Sequence, residues 1–274
     1  MAIHHLVSRA GAMSIISLLS DFGHKDPYVA EMKAIILSIN PQAQIIDITH
    51  EIEKFSIRMG AYVLASAAPY FPPNTIHVAV VDPSVGTKRR PIIAETNRSI
   101  YVGPDNGLLM LAAHKEKINN VYTISNPQYM LPNVSKTFHG RDIFAPAAAH
   151  LATGIKPSDF GPAIHDYVFP EFAKPHMKQG ELVGEVLSID GFGNVISNIS
   201  AEDLERVGFH ERDSLVVALG SKTLNVLFCS AYGEVPVGAP LALIGGSNFL
   251  EAAVNQGSAS SAFKAKVGST FRVS

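Results

Sequence analysis

Two periodicities alternate over the first two thirds of the chain. "SIISLLS" (14–20), "AQIIDIT" (43–49), "TIHVAVVD" (75–82) and "SIYVGPDNG" (99–107) are short apolar runs bounded by turn formers, the signature of buried strands. "NVYTIS" (120–125) also reads as extended. Between them, "DPYVAEMKAIILSIN" (26–40) predicts a helix with Asp26 as N-cap, Pro27 at the first helical position and a stop before Pro41. Val29, Met32, Ile36 and Ile39 share one face of it. "SIRMGAYVLASAAPY" (56–70), "LLMLAAHKE" (108–116) and "RDIFAPAAAHLATG" (141–154) read as further helices, the last stopped by Gly154. This alternation predicts an α/β domain over residues 14–170 with a central, largely parallel sheet.

The pattern changes near residue 170. "FPEFAKPHMKQG" (169–180) is rich in turn formers, lacks periodicity and reads as a linker. Beyond it, "ELVGEVLSID", "NVISNIS", "SLVVALG", "TLNVLFC", "APLALIG" and "KVGSTFRV" are short strands separated by Gly-containing turns. They predict a smaller, antiparallel barrel or sandwich over 180–274.

Composition narrows the function classes. A chain of 274 residues with 47% hydrophobic and 17% charged residues is long enough for a substantial core. A net charge of −2 leaves no basic footprint for nucleic acid. No apolar run reaches the ~18 residues of a membrane span. The single cysteine, Cys229, excludes an internal disulfide framework and suits a reducing cytoplasm; its apolar flank suggests a buried thiol. "MAIHHLVSRAGAM" has no long apolar region of the signal-peptide kind. It reads as a loose extension in which His4 and His5 are not ligands, with Met13 as a candidate start of the folded part.

Ligands of open α/β sheets bind at the carboxyl ends of the strands, and several polar residues fall there. Asp21 follows the first strand. Asp82 ends the strand before "PSVGTKRR", which returns Arg89 and Arg90 toward it, and His139 and Asp142 stand in "TFHGRD" at a helix entry. Asp190, Phe192 and Asn194 occupy the "DGFGN" turn of the second domain. Each has a bland alternative: a turn aspartate, a solvated arginine, a capping histidine, an ordinary hairpin. Their collection at the ends of strands in one fold is what points to chemistry. "DFG" and "HGRD" are kinase-like fragments in reversed order without the Gly-rich loop, and no phosphate-cradling Gly-x4-Gly-Lys-Ser/Thr segment is present. Asp21, Asp82, His139 and Asp142 could converge on a metal, but no pair of ligands has HxxxH, HxH or CxxC spacing.

"SDFG", "DITHEI", "HVAVVDPSVGTKRRPI", "VGPDNGLL", "FHGRDIFAPAAAHLATG", "IDGFGNVISNI" and "FLEAAVNQGSA" follow one another in an order that closely resembles the S-adenosyl-L-methionine (SAM) hydroxide adenosyltransferases. These adenosine-forming SAM hydrolases are related to the fluorinase and chlorinase. The resemblance spans 14 to about 270. It implies a C-terminal β-barrel, a homotrimer with SAM between neighbouring subunits, and no cofactor or metal. It implies that Asp82, Arg89 and His139 hold the attacking water, with Arg89 fixing the carboxylate and holding the nascent hydroxide. In the halide enzymes tyrosine replaces the residues matching Asp82 and His139, and serine the one matching Gly140.

The same resemblance implies that Asp21 clamps the ribose hydroxyls and that Phe55 walls the ribose and sulfonium. It assigns Asp190 to the methionine amino group, Phe192 and Tyr232 to the faces of adenine, and Asn194 to its edge. Tyr28, Gly245 and Gly246 depart from the polar residues of the halide enzymes near methionine, where Ser247 and Glu251 are the substitutes. Two other readings remain at this stage: a non-catalytic adenosine or SAM sensor, and a metal-dependent nucleoside hydrolase.

Overall fold

In the computed structural model, which describes residues 14–220 and 222–274, the first half of the chain builds one six-stranded sheet. The candidate extension with His4, His5 and Met13 lies outside the described residues. The strands are β1 (Ile15–Ser20), β2 (Gln44–Thr49), β3 (Ile76–Val80), β4 (Pro91–Thr96), β5 (Ile100–Pro104) and β6 (Ile118–Thr123), in spatial order β2-β1-β3-β5-β4-β6. β2, β1, β3 and β5 are parallel neighbours, and β4 runs antiparallel to β5 and β6.

Helices α1 (Tyr28–Ile39), α2 (Ile57–Ala67), α3 (Met110–Lys115) and α4 (Ala145–Ala152) cover both faces. α1 and α4 bury Met32, Ile36, Phe144 and the Ala147–Ala149 run against Ile16, Leu18, Val78 and Val80. On the opposite face, α2 and α3 bury Leu64, Leu108 and Leu111 with Leu19, Val81 and Ile92. A strand covered on both sides reads as a continuous apolar run, and the burial of every β3 residue accounts for "IHVAV".

The second half forms strands β7 (His176–Lys178), β8 (Glu181–Ile189), β9 (Val195–Ser200), β10 (Ser214–Leu219), β11 (Lys222–Cys229), β12 (Pro240–Ile244), β13 (Phe249–Val254) and β14 (Thr270–Val273), with short helices α5 (Ala201–Val207) and α6 (Ala259–Phe263). β14 pairs back onto β8, so the sheet closes into a barrel of seven strands, with β7 as an extra strand on β8. The pairings are antiparallel except β11–β12, which is parallel. The barrel is filled by Val186, Ile199, Leu215, Val217, Phe263 and Phe271. Leu187, Ile196 and Phe249 join the core of the α2/α3 face, so the two halves share one apolar layer. Arg58 adds a pair to Glu185 at 2.7 Å across the junction.

Several elements differ from the expectation. Asp26 does not cap α1: Pro27 takes the N-cap position and no side chain caps that end. The last helix opens with a π turn, Gly140–Phe144, before α4. β4 and β13 are strands that the pattern does not announce. β4 opens with a proline, and β13 ("FLEAAV") is made mostly of residues with weak strand preference, so burial between neighbours decides its state. The segment read as a linker contributes β7. Cys229 is a buried free thiol whose pKa burial pushes up. No helix among the described residues is long and apolar enough to cross a membrane.

His77 is wholly buried in β3, with its Nδ1 2.6 Å from Ser17 Oγ, and burial lowers its pKa to about 4. The unfolded chain therefore takes up a proton on His77 before the native state does. Stability should fall as pH drops from about 6.5 to about 4, His77 contributing about 3 kcal/mol of that loss. Urea unfolding followed across this range should show a flatter pH dependence in His77→Asn than in the wild type.

Candidate active site

Because β1 and β3 are adjacent and parallel, their carboxyl ends place Asp21 and the Asp82 loop on the same rim of the sheet. The chain leaves β3 at Val80, passes Asp82, turns through Ser84–Thr87 and returns as β4. Gly86 makes that turn possible: its φ is +76°, and a Cβ there would collide with the Lys136 carbonyl. The turn is thereby pressed against the segment that carries His139.

The two consecutive arginines then part. Arg90 reaches outward to Asp105 (Nη2–Oδ2 2.7 Å) and Asp166 (Nη1–Oδ1 2.8 Å), anchoring the end of the loop. Arg89 turns inward onto Asp82, with Nε donating to Oδ1 at 3.2 Å and Nη2 donating to Oδ2. Both side chains are only 5% exposed. Arg89 Nη2 also lies 2.9 Å from His139 Nδ1. A guanidinium can only donate, so Nδ1 must carry the lone pair, and the proton of the neutral ring sits on Nε2. Burial and the neighbouring Arg89 charge lower the pKa of His139, which favours that neutral form.

Asp142 is buried and accepts from Ser135 N at 2.7 Å and from Arg141 Nε at 2.7 Å, folding the preceding loop over the sheet. Arg141 extends to Glu31 of α1 at 2.9 Å. Gly140 has Phe138, Met32 and Phe22 within 3.1–3.4 Å of where a Cβ would stand, so the turn packs closely there. Asp142 is thus committed to its own loop. Among the described residues, no group of three or more His, Cys, Asp or Glu side chains is arranged to hold a metal ion.

A cavity of about 440 Å³ opens on this rim. Asp82 and His139 line it together with Asp21, Asp26, Tyr28, Lys54, Phe55, Phe22 and Phe138. Arg89 lies behind them, where it orients Asp82 and His139 rather than facing the cavity. Asp21 is buried and accepts from Phe55 N at 2.9 Å through Oδ2. Phe55 takes a left-handed backbone conformation (φ +65°) and leaves its ring 68% exposed. Tyr28, expected near the methionine, lines the cavity; Asp26 and Lys54 are lining residues that the sequence did not single out as such, Asp26 reading only as a cap.

The barrel carries a second cavity, of about 690 Å³, lined by Asp190, Phe192, Asn194, Tyr232, Val254, Gln256, Gly257 and Ser258. Here Asp190 organises its own turn: Oδ1 accepts from Phe192 N and Asn194 N at 2.9 Å each, and Oδ2 from Asn194 Nδ2 at 2.9 Å. Tyr232 donates to Glu251 Oε2 at 3.1 Å. Burial raises the pKa of Glu251, and burial with the nearby Glu251 charge raises that of Tyr232 to about 12. Gly245 leaves the space into which the Glu251 carboxylate fits. Ser247 is placed elsewhere, in a third cavity between the two halves that Lys115, Lys174 and Arg206 also line. Phe192 is 83% exposed. The two cavities have no lining residue in common.

Residues 16–161 match the SAM hydroxide adenosyltransferase N-terminal domain, and residues 184–272 match the corresponding C-terminal domain. The chain belongs to the SAM hydroxide adenosyltransferase family. It is 39% identical to an (R)-S-adenosyl-L-methionine hydrolase from Thermus thermophilus, over 95% of this chain and 100% of that one. A fluorinase from an Actinoplanes species is 27% identical over 96% of this chain and 98% of its own length. A crystal structure of an uncharacterized conserved protein from Thermotoga maritima superposes with a TM-score of 0.84 at 38% identity, covering 94% of this chain and 99% of that one. In this family member the Asp82 loop and the His139 turn meet only because Gly86 lets them. Gly86→Ala should therefore keep the barrel folded, displace the Asp82–Arg89 loop and lower SAM turnover at least tenfold; unchanged turnover would show that the loop tolerates the side chain.

Proposed function

We propose that the protein hydrolyses S-adenosyl-L-methionine to adenosine and L-methionine, with water replacing methionine at the ribose C5′. The observation that carries this reading is the Asp82–Arg89–His139 set, whose carboxylate and imidazole line the cavity while the guanidinium holds both from behind. The cavity suits a sulfonium cation: Asp21, Asp26 and Asp82 face a single lysine, Lys54, and Phe22, Tyr28, Phe55 and Phe138 supply aromatic surface.

The leaving group is a neutral thioether and needs no acid. A water oxygen forms the new bond to C5′, the C5′–S electron pair returns to sulfur, and the water proton passes to Asp82 and on to solvent. His139 donates its Nε2–H to the water oxygen, because Nδ1 is occupied by Arg89. The gain comes mainly from holding a poorly nucleophilic water in line with the C–S bond; alignment of this kind contributes up to ~7–11 kcal/mol. Asp21 takes the ribose hydroxyls, with Phe55 beside the ribose. Asp190, Phe192, Asn194 and Tyr232 take the amino group and the adenine, and Glu251 supports Tyr232. Ser247, in its separate cavity, is left without a substrate contact in this reading. No cofactor and no metal take part, since Asp82 is paired to an arginine and Asp142 to its own loop.

A homotrimer with each site between neighbours accounts for the separation of the two cavities and for the exposed rings of Phe55 and Phe192, which would close on SAM from opposite chains. A buried free thiol and the absence of any disulfide partner suit the cytoplasm.

Incubation with SAM and a metal chelator should give adenosine and methionine in equal amounts. Asp82→Ala and His139→Ala should each lower kcat about 10²–10³-fold, the usual cost of removing one preorganised polar group from a reacting centre. Intact SAM with retained adenosine would indicate a sensor. Activity lost to the chelator and restored by zinc would indicate a metal-dependent hydrolase. The shared site has its own test. Mixed trimers of Asp82→Ala and Asn194→Ala chains should recover part of the activity that each variant alone lacks, and no recovery in proven mixed trimers would put each site within one chain.

A further inference from the structure

The segment "DITHEIEKF" (47–55) begins in the last residues of β2 and runs on past it, and only its last two residues, Lys54 and Phe55, line the cavity. Its other polar groups converge on the residues flanking Asp21. Ser20 Oγ lies 2.7 Å from His50 Nδ1, with Ser20 fully buried and His50 1% exposed. On the other side of the ring, His50 Nε2 lies 3.2 Å from Asp47 Oδ1, an electrostatic approach without linear hydrogen-bond geometry. Asp47 Oδ2 is held by Lys33 Nζ at 2.6 Å. Ser20 Oγ also accepts from Phe22 N at 3.2 Å, so the two residues on either side of Asp21 are tied to one oxygen.

Backbone bonds strengthen the same junction. Gly23 N donates to His50 O at 2.7 Å, Ile52 N to Ser20 O at 3.3 Å, and Phe55 N to the Asp21 carboxylate at 2.9 Å. A serine, a histidine and an aspartate in series suggest a nucleophile, but Ser20 is buried and does not line the cavity. The parity of donors gives another role. With the imidazole proton on Nε2 toward the Asp47 carboxylate, Nδ1 accepts the Ser20 O–H, and the serine lone pairs remain for Phe22 N–H. In that tautomer the contacts from Lys33 to Phe22 are mutually compatible, and they tie the loop after β1 to the end of β2.

We infer that Ser20 and His50, both buried, and the partly exposed Asp47 form a positioning chain that sets the Asp21 carboxylate against the ribose diol, and so determines selectivity for a ribose over a 2′-deoxyribose substrate. This rests on the proposed ribose-binding role of Asp21. None of the three touches substrate. They act through the conformation of residues 20–23, in the way outer hydrogen-bond partners commonly orient a working group.

The test compares kcat/KM for SAM and for 2′-deoxy-SAM in the full-length protein. Ser20→Ala should lower the ratio about tenfold, the effect of one misdirected hydrogen bond to a charged acceptor, by weakening SAM much more than the deoxy substrate. Asp47→Asn removes a partly exposed charge at the far end of the chain and does not threaten the core; it should move the ratio in the same direction by a smaller factor. Asp21→Asn is the reference and should abolish most of the discrimination. If Asp21→Asn abolishes it while Ser20→Ala and Asp47→Asn lower both substrates equally or change neither, the positioning chain is wrong and the ribose assignment stands. If Asp21→Asn itself leaves the ratio unchanged, the ribose assignment falls, and the inference with it.

Discussion

A buried carboxylate held by a guanidinium that also leans on a neutral imidazole is the constraint around which the first half of this molecule is arranged. Taking the Asp82–Arg89 pair out of water carries a desolvation penalty that mutual attraction does not reliably recover, so such a pair is weak evidence of stabilisation. Its presence here, with both side chains 5% exposed, is better understood as a device for geometry. Arg89 has no acceptor to offer, so it dictates which imidazole nitrogen bears the proton and which lone pairs of Asp82 remain for a ligand. The surrounding fold supplies what that device requires. Parallel β1 and β3 set the rim, Gly86 permits the tight approach, Arg90 holds the loop end, and Asp142 folds the His139 turn into place.

Much of this was legible in the residues. The covered sheet appears as continuous apolar runs, and Asp21, Asp82 and His139 reach one cavity from three separate segments. What was not legible has physical reasons. Asp26 has the spelling of a helix cap, because Asp before Pro is a common helix start, but here the cavity rather than α1 claims it. β13 is composed mostly of residues that do not favour strands, and only its neighbours β9 and β12 make it one. Arg89 and Arg90 are alike in the sequence; only the folded loop sends one inward to Asp82 and the other outward to Asp105 and Asp166. Ser247 and Glu251 lie close in the sequence, but the loop after β12 sends Ser247 to a different cavity from Tyr232, while Glu251 is buried behind Tyr232.

The barrel half is built on a different principle from the α/β half. There, the polar groups satisfy one another: Asp190 holds its turn, Asn194 holds Asp190, and Tyr232 holds Glu251. Among the described residues of the barrel, this leaves Ser247 Oγ as the one buried side-chain polar atom without a partner, and Phe192 exposed. The α/β half does the opposite, presenting several carboxylates and aromatic rings to one open cavity. In the proposed reading, one surface takes the shape and edge of the adenine and the other the cation and the water. A substrate with an adenine at one end and a sulfonium near its centre needs both.

The electrostatics of the cavity also bear on how such a reaction ends. In the proposed mode of binding, the reactant brings a positive sulfur to a wall of Asp21, Asp26 and Asp82, and the reaction replaces it with a neutral thioether and a neutral nucleoside. The attraction that favours binding of the sulfonium therefore disappears with the C–S bond, which weakens the grip on products relative to substrate. It also disfavours the transition state to some extent, since positive charge is being lost from sulfur as the bond breaks. Under the proposed mechanism, rate enhancement comes from the other partner in the displacement: a water oriented by His139, and a carboxylate whose position Arg89 fixes.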